Sequence, residues 1–256
     1  MTAIDVFYRI AAMSNLRFFS PVDLQLGANV KLSDDAAAHA TRALRLNVGD
    51  DIQLFNGDGH DYACELISVK KNEVIAKVNS SQICKSESPL NITLLQGISS
   101  GDRMDYSIQK AVELGVKQIQ PIATERSVVK LSAARVEKRL EHWQNVVISA
   151  CEQCGRATIP QVLAPTNLAN WLSTNSASTA TRILLNPIGA KRLAELDKPG
   201  GEIQLLIGAE GGLTLAEINL AISQGFQSVI LGPRILRTET AGPTAIATLQ
   251  GLWGDF

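Results

Sequence analysis

The sequence predicts an α/β protein in two parts, a small β-rich domain followed by a larger domain of alternating strands and helices. Three observations predict it. Between residues 51 and 78, polar and apolar residues alternate in short runs broken by turn residues, the pattern of half-buried strands. Residues 79–90 are polar and end in Ser86-Glu87-Ser88-Pro89, the composition of a linker. Beyond residue 90, strand-length apolar runs alternate with segments of helical period, the signature of an α/β domain. The expected domains are 14–85 and 90–256.

The elements of the first domain follow in order. A short helix is expected around Ala36 to Arg45. Asp51 to Asn56 is a strand, Gly57-Asp58-Gly59 a turn, Asp61 to Val69 a second strand, Lys70-Lys71-Asn72 a second turn, and Glu73 to Val78 a third strand. Short strands joined by tight turns suggest a small barrel.

In the second domain, Ile92 to Gln96 is a strand and Asp102 to Leu114 a helix, with Asp102 as its cap and Gly115 beyond its end. Val116 to Ile122 is a strand. A long helix from Ser132 to Cys154 places Val136, Leu140, Trp143, Val147, Ala150, Cys151 and Cys154 at helical spacing before Gly155. Strands follow at Arg182–Asn186, Ile203–Ile207 and Ser228–Leu231. Thr214 and Glu217 form a capping box for the helix that Gly225 closes, and Thr240 to Leu252 is the last helix.

Composition narrows the function classes. The chain has 256 residues, 45% hydrophobic and 19% charged, with 24 basic and 25 acidic residues and a formal net charge of −1. Nucleic-acid contact therefore requires a local basic surface. The apolar run at the N-terminus carries Asp5 and Arg9, a poor export signal. Met13-Ser14-Asn15-Leu16 reads as the natural start, with the preceding residues an upstream extension. No run of about 18 apolar residues predicts a membrane span. Cys64, Cys84, Cys151 and Cys154 read as reduced thiols of a cytoplasmic protein.

The chemistry concentrates near the C-terminus. Strand 203–207 runs into Gly208-Ala209-Glu210-Gly211-Gly212 and then a capped helix. Strand 228–231 runs into Gly232-Pro233 and Arg234 to Ala241. Glycines allow backbone N–H groups to approach a ligand, and a helix N-terminus favours anionic groups. Two such loops, joined by the strand end Leu185-Asn186-Pro187, point to a ligand crevice at the carboxyl edge of a sheet. The dinucleotide fingerprint G-x-G-x-x-G and the phosphate loop G-x-x-x-x-G-K-[ST] are both absent.

These two blocks, Ile207 to Thr214 and Leu231 to Ala241, closely resemble the RsmE family, uridine-N3 methyltransferases of 16S ribosomal RNA in the SPOUT superfamily. Glu113-Leu114-Gly115-Val116, Glu125-Arg126-Ser127, Glu152-Gln153-Cys154-Gly155-Arg156 with Pro160, Arg17-Phe18-Phe19, and Arg42 to Leu46 with Gly49-Asp50 fit the same pattern. The resemblance spans about residues 14 to 256. The chain departs from the family at Ala209, where proline is usual, and around Ser99 and Ser100, where a lysine is common.

The resemblance implies a C-terminal SPOUT α/β domain with a deep trefoil knot, a rare exception to unknotted topology, and an N-terminal PUA-like β-barrel that binds RNA. It implies S-adenosylmethionine as cofactor, a homodimer, and the uridine at position 1498 of 16S ribosomal RNA in the small ribosomal subunit as target. Cofactor contacts are expected from Leu185, Ile207, Gly208, Gly211, Leu231, Gly232, Ile235, Leu236 and Thr240. Uridine N3 must lose a proton for attack. Arg237 or Arg156 is expected to stabilise the resulting anion, with Glu210 and Glu239 as bases or as groups that orient an arginine. RNA contacts are expected from Arg42, Arg45, Lys70, Lys71 and Arg126, with Arg135, Lys138 and Arg139 as a further basic cluster.

Other readings stay open on the residues alone. Cys151 and Cys154 form a C-x-x-C, but their helical face favours buried thiols, and no metal is expected. His39, His60 and His142 lack a hydrolase motif around them, and His142 reads as a surface residue. A knotted methyltransferase for another RNA site and a non-catalytic ribosome-assembly protein are the two rivals.

Overall fold

The computed structural model describes residues 16–70, 73–127, 133–188 and 191–256. The proposed start at Met13 lies outside the described residues, as does Lys71. The chain divides into two compact units. The first comprises the described residues up to Glu87 together with Ile148–Ile159, and the second comprises Ser88–Val147 and Pro160–Phe256. The first unit is therefore not contiguous in sequence.

The first unit is built on β1 (Arg17–Phe19), β2 (Asn29–Lys31), β3 (Asp51–Phe55), β4 (His60–Lys70) and β5 (Glu73–Ile83). They form one sheet in the order β1-β3-β4-β5-β2, with only the β1–β3 pair parallel. Alternation buries one face. Ile52, Leu54, Tyr62, Cys64, Leu66, Val74, Ala76 and Val78 join Phe18 and Val30 in a single core. The helix expected at 36–45 is instead a single α turn, α1 (Asp34–Ala38), that widens into a π turn over His39–Ala43. The linker expected from 79 begins later, because Ser80 to Ile83 still pair with β4. Their side chains are exposed and, apart from Ile83, polar, but the ladder is made by backbone groups, which composition does not report.

Arg17 anchors this unit. Its guanidinium donates to the carbonyls of Cys151 at 2.7 Å and Arg156 at 2.9 Å, and to Asp61 Oδ1 at 2.7 Å. It also lies 4.0 Å from the centre of the Phe55 ring. The end of the long helix is thereby tied to the sheet, since a helix C-terminus leaves carbonyls that need donors.

The second unit contains β6 (Ile92–Gly97), β7 (Gln118–Ala123), β8 (Gln161–Val162), β9 (Thr166–Asn167), β10 (Thr181–Leu185), β11 (Lys191–Arg192), β12 (Ile203–Ile207) and β13 (Gln227–Ile230). The sheet order is β11-β13-β10-β12-β6-β7-β8, with β9 also on β7, and every pair is parallel. Parallel strands are covered on both faces, and β6 and β12 are buried along their whole length.

The helices are α2 (Asp102–Glu113), α3 (Ala133–Cys154), α4 (Leu168–Thr174), α5 (Leu215–Ser223) and α6 (Thr238–Trp253). Met104, Ile108, Ala111 and Val112 form the buried stripe of α2 at helical spacing. Gly101, not Asp102, caps α2, and Asp102 is its first residue. The Thr214–Glu217 capping box of α5 forms as the sequence indicates. No helix among the described residues is long and apolar enough to cross a membrane.

Candidate active site

Three parallel strands bring their carboxyl ends together in the second unit. β10 lies between β12 and β13, so the chain leaving each strand enters the same space. Asn186 N donates to Val229 O at 3.0 Å and knits the first exit to the last strand. The loops enclose a cavity of about 630 Å³, within the range of about 300–1,000 Å³ typical of small-molecule and cofactor sites.

Eight of the nine expected cofactor residues line it: Leu185, Ile207, Gly208, Gly211, Leu231, Gly232, Ile235 and Leu236. Thr240 does not. It sits exposed on α6, where its N–H donates to Arg237 O at 2.9 Å, and Thr238 lines the cavity in its place. The apolar walls come from Leu185, Ile207 and Leu231. The N–H groups of Arg234, Ile235 and Leu236 donate to no other backbone group among the described residues. Such a lining suits a flat, partly apolar ligand whose polar edge is read by backbone.

Among the expected catalytic residues, Arg237, Glu210 and Glu239 line the cavity. Arg156 does not. In the first unit it is 2% exposed, and its Nη2 donates to Glu87 Oε2 at 2.8 Å. The expected catalytic guanidinium is thus given a structural carboxylate partner instead of a place in the cavity. A position just past a helix end does not reveal which neighbour will claim the charge.

Sequence reasoning missed Arg103. It lines the cavity, with Nη1 3.3 Å from Glu210 Oε1 and Nε 3.9 Å from Glu239 Oε1. Glu210 Oε1 also accepts from Ser100 N at 2.8 Å and Ser100 Oγ at 2.9 Å. Burial pushes the Glu210 carboxyl up, but the Ser100 and Glu210 N–H groups, the Ser100 hydroxyl and Arg103 together hold it below the ordinary carboxylate value. The signal was latent in the Asp102-Arg103 start of a helix after a strand end. It needed the knowledge that β6 neighbours β12.

Arg126, expected as an RNA contact, also lines the cavity. Its Nη1 donates to Gly211 O at 3.2 Å and Leu213 O at 3.3 Å. A Cβ on Gly211 would come within 2.9 Å of Arg126 Cβ, so the glycine is needed for this close approach. Arg42 and Arg45 are exposed in the first unit, Arg45 with a left-handed φ of 55°. Lys70 is exposed and lies 3.6 Å from Glu73 Oε2. Cys151 is buried, and burial pushes its thiol up to about 12. His142 is half exposed and lies 2.7 Å from Asp105.

The fold and the strand-end cavity define an RNA methyltransferase domain, whose family model matches residues 86–250, while an RNA methyltransferase PUA domain model matches residues 32–79. The chain belongs to the ribosomal RNA small subunit methyltransferase E family. It is 34% identical to that enzyme of Buchnera aphidicola from Acyrthosiphon pisum, over 94% of each chain. Among solved structures, ribosomal RNA small subunit methyltransferase E of Neisseria gonorrhoeae, bound to S-adenosyl methionine, is 44% identical with a TM-score of 0.87, covering 94% of this chain and 98% of that one. A Legionella pneumophila methyltransferase in complex with the same cofactor is 37% identical with a TM-score of 0.89, covering 94% and 99%.

Proposed function

We propose that this chain methylates N3 of a uridine in 16S ribosomal RNA, at position 1498 of the small subunit, with S-adenosylmethionine as donor. The observation that carries the reading is the strand-end cavity, where the loops after β10, β12 and β13 meet Arg103, Glu210, Arg237 and Glu239. The relatives named as ribosomal RNA small subunit methyltransferases and the two neighbours bound to S-adenosylmethionine support methylation of small-subunit ribosomal RNA from this donor.

The bound cofactor supplies an electrophilic methyl group. Leu185, Ile207 and Leu231 offer apolar walls to a ring system, and the free N–H groups of the 234–236 segment offer donors. The chain's task is then to hold a deprotonated uracil in line. Arg237 is exposed on the cavity wall and has no side-chain partner among the described residues, so its charge is available to the developing anion. Glu210, held ionised by four donors, is a weak base. Its role is to orient Arg103. Glu239, which lines the cavity from the first turn of α6, is the proposed acceptor for the N3 proton.

The reading extends to the rest of the molecule. The chain after β13 returns under the β12 loop, where Thr238 Oγ1 donates to Gly208 O at 2.6 Å, and runs on until Gln250 donates to Leu114 O at 2.7 Å. That path supports a trefoil knot. The five-stranded first unit supports a PUA-like barrel, on which Arg42, Arg45, Lys70 and Lys71 are proposed as phosphate contacts. The family resemblance supports a homodimer working in the cytoplasm.

The test is direct. Purified protein, S-adenosylmethionine and unmethylated small subunits are incubated, and the product is mapped by blocked reverse transcription. A stop one nucleotide before the target uridine supports the proposal. Methylation at another site, or none, defeats it.

A further inference from the structure

Gln96 is out of character with its strand. Ile92, Leu94, Leu95 and Ile98 around it are apolar and 0% exposed, and so is Gln96. A buried amide is destabilising unless it is hydrogen-bonded. Here Nε2 donates to Gly97 O at 3.1 Å and to Thr238 Oγ1 at 2.9 Å, while Oε1 has no partner among the described residues. Half of the amide is therefore buried at a cost, which asks for a compensating role.

Thr238 passes the interaction on. It is 7% exposed, and its hydroxyl donates to Gly208 O at 2.6 Å. A hydroxyl has one proton, so donation to Gly208 requires acceptance from Gln96. That fixes the orientation of the Gln96 amide, because the flipped form would set its oxygen against both the Gly97 carbonyl and an occupied hydroxyl. The relay has a single sense, from β6 through the start of α6 to the loop after β12.

The surrounding backbone is shaped around it. A Cβ on Gly97 would come within 2.2 Å of Ala209 N and 2.5 Å of Gly208 C, so the 208–209 peptide lies directly on β6. A Cβ on Gly242, one turn along α6 from Thr238, would sit 3.3 Å from Gln96 Oε1. Both glycines keep open the space that the amide and the peptide fill.

We propose that Gln96 and Thr238 are positioning residues that lock the Gly208 carbonyl, and with it the two glycine-bearing loops, into the cofactor-binding geometry before the cofactor arrives. The inference rests on the reading of the cavity as an S-adenosylmethionine site. Neither residue touches the reacting atoms. They lower the cost of binding by holding the loops in advance.

The test compares wild type with Thr238→Val, which keeps the shape and loses the hydroxyl, Thr238→Ser, which keeps the hydroxyl, and Gln96→Leu. Cofactor affinity is measured by calorimetry, and hydrogen exchange of the 208–213 amides is measured in ligand-free protein. Thr238→Val and Gln96→Leu should each weaken binding about tenfold, the scale of one lost buried hydrogen bond, and should speed loop exchange by a similar factor. Thr238→Ser should stay within about twofold of wild type on the same scale. In steady state the loss should fall on the cofactor KM and spare kcat. Unchanged affinity and exchange in Thr238→Val, with binding intact in wild type, overturns the inference alone. Absence of binding in wild type overturns the cofactor reading and this inference with it.

Discussion

Arg103 and Glu210 meet at the cavity rim with 3.3 Å between Nη1 and Oε1, and the same oxygen is held by the backbone and hydroxyl of Ser100. One carboxylate oxygen thus gathers three donors from the start of α2. Glu239 approaches the other side of the same guanidinium at 3.9 Å. Arg103→Met keeps the length of the side chain and removes this organisation. Methyl transfer should fall about a hundredfold, the scale of a misplaced reacting group, while cofactor affinity measured by calorimetry changes little. An equal fall in both quantities would make Arg103 part of the cofactor loop.

Arg237 precedes α6 with its side chain in the cavity wall and no carboxylate beside it among the described residues. Arg237→Ala should lower kcat by about 10²–10³, as loss of an anion-stabilising donor does, with a smaller change in cofactor binding. Single-turnover rates at saturating cofactor separate the two effects. Matching losses would assign Arg237 to the loop scaffold.

Glu210 carries a pH dependence of known sign. Its carboxyl is held below the ordinary value of 4.5 in the folded chain, so its contribution to stability is fully present above that value. It is lost as pH falls through the lowered folded value. Melting curves of wild type and Glu210→Gln should therefore differ most near neutral pH and converge in acid. A gap that widens below pH of about 4 contradicts the assignment.

Ala209 stands where the family resemblance of the sequence implies proline. It is 4% exposed, its carbonyl accepts from Gly212 N at 2.9 Å, and the two residues form an isolated antiparallel bridge in which the Ala209 N–H side makes no short hydrogen bond among the described residues. Closing a ring there removes only the weak N–H side of that bridge. Ala209→Pro should raise stability by about 0.4–1 kcal/mol through the unfolded chain, read as a higher Tm with cofactor affinity retained. A lower Tm would mean that the loop needs a φ that proline does not adopt.

Arg17 is a buried polar tie of the first unit, bonded to Asp61 and to the carbonyls of Cys151 and Arg156, with its side chain 2% exposed. Arg17→Met removes the donor to Asp61 and to the carbonyls of Cys151 and Arg156, of which Cys151 keeps the Gly155 N–H. It should destabilise the protein by about 3 kcal/mol, as breaking one side of a buried pair does. Urea unfolding provides the measurement, and a change below about 1 kcal/mol would place the pair in the weak class of surface bridges.

Periodicity carried most of the fold. The alternation at 51–78 marks β3, β4 and β5, the runs at 92, 203 and 228 mark the strands of the parallel sheet, and Thr214–Glu217 marks the start of α5. These are local signals, set by which side chains share a face. The short elements were not legible. β1, β2, β8, β9 and β11 have two or three residues each, too few for a period to show. α4, over Leu168–Thr174, is only seven residues long, and Asn167, the last residue of the two-residue strand β9, caps it.

The site divides along the same line. The glycine loops after β12 and β13, with Glu210, Arg237 and Glu239, were legible because loop chemistry and family pattern are written in contiguous residues. Arg103, Ser100, Gln96 and the structural commitments of Arg126 and Arg156 were not. Each depends on a partner more than 60 positions away in the chain. The sequence by itself determined the strands, the helices and the loops that carry the chemistry, since those follow from propensity and period within a few residues. Strand order is a property of the assembled sheet. It decided that β6 lies beside β12 and β10 between β12 and β13, and so only the tertiary structure decided which arginine faces the cavity, which one is buried against Glu87, and how Gln96 reaches Gly208.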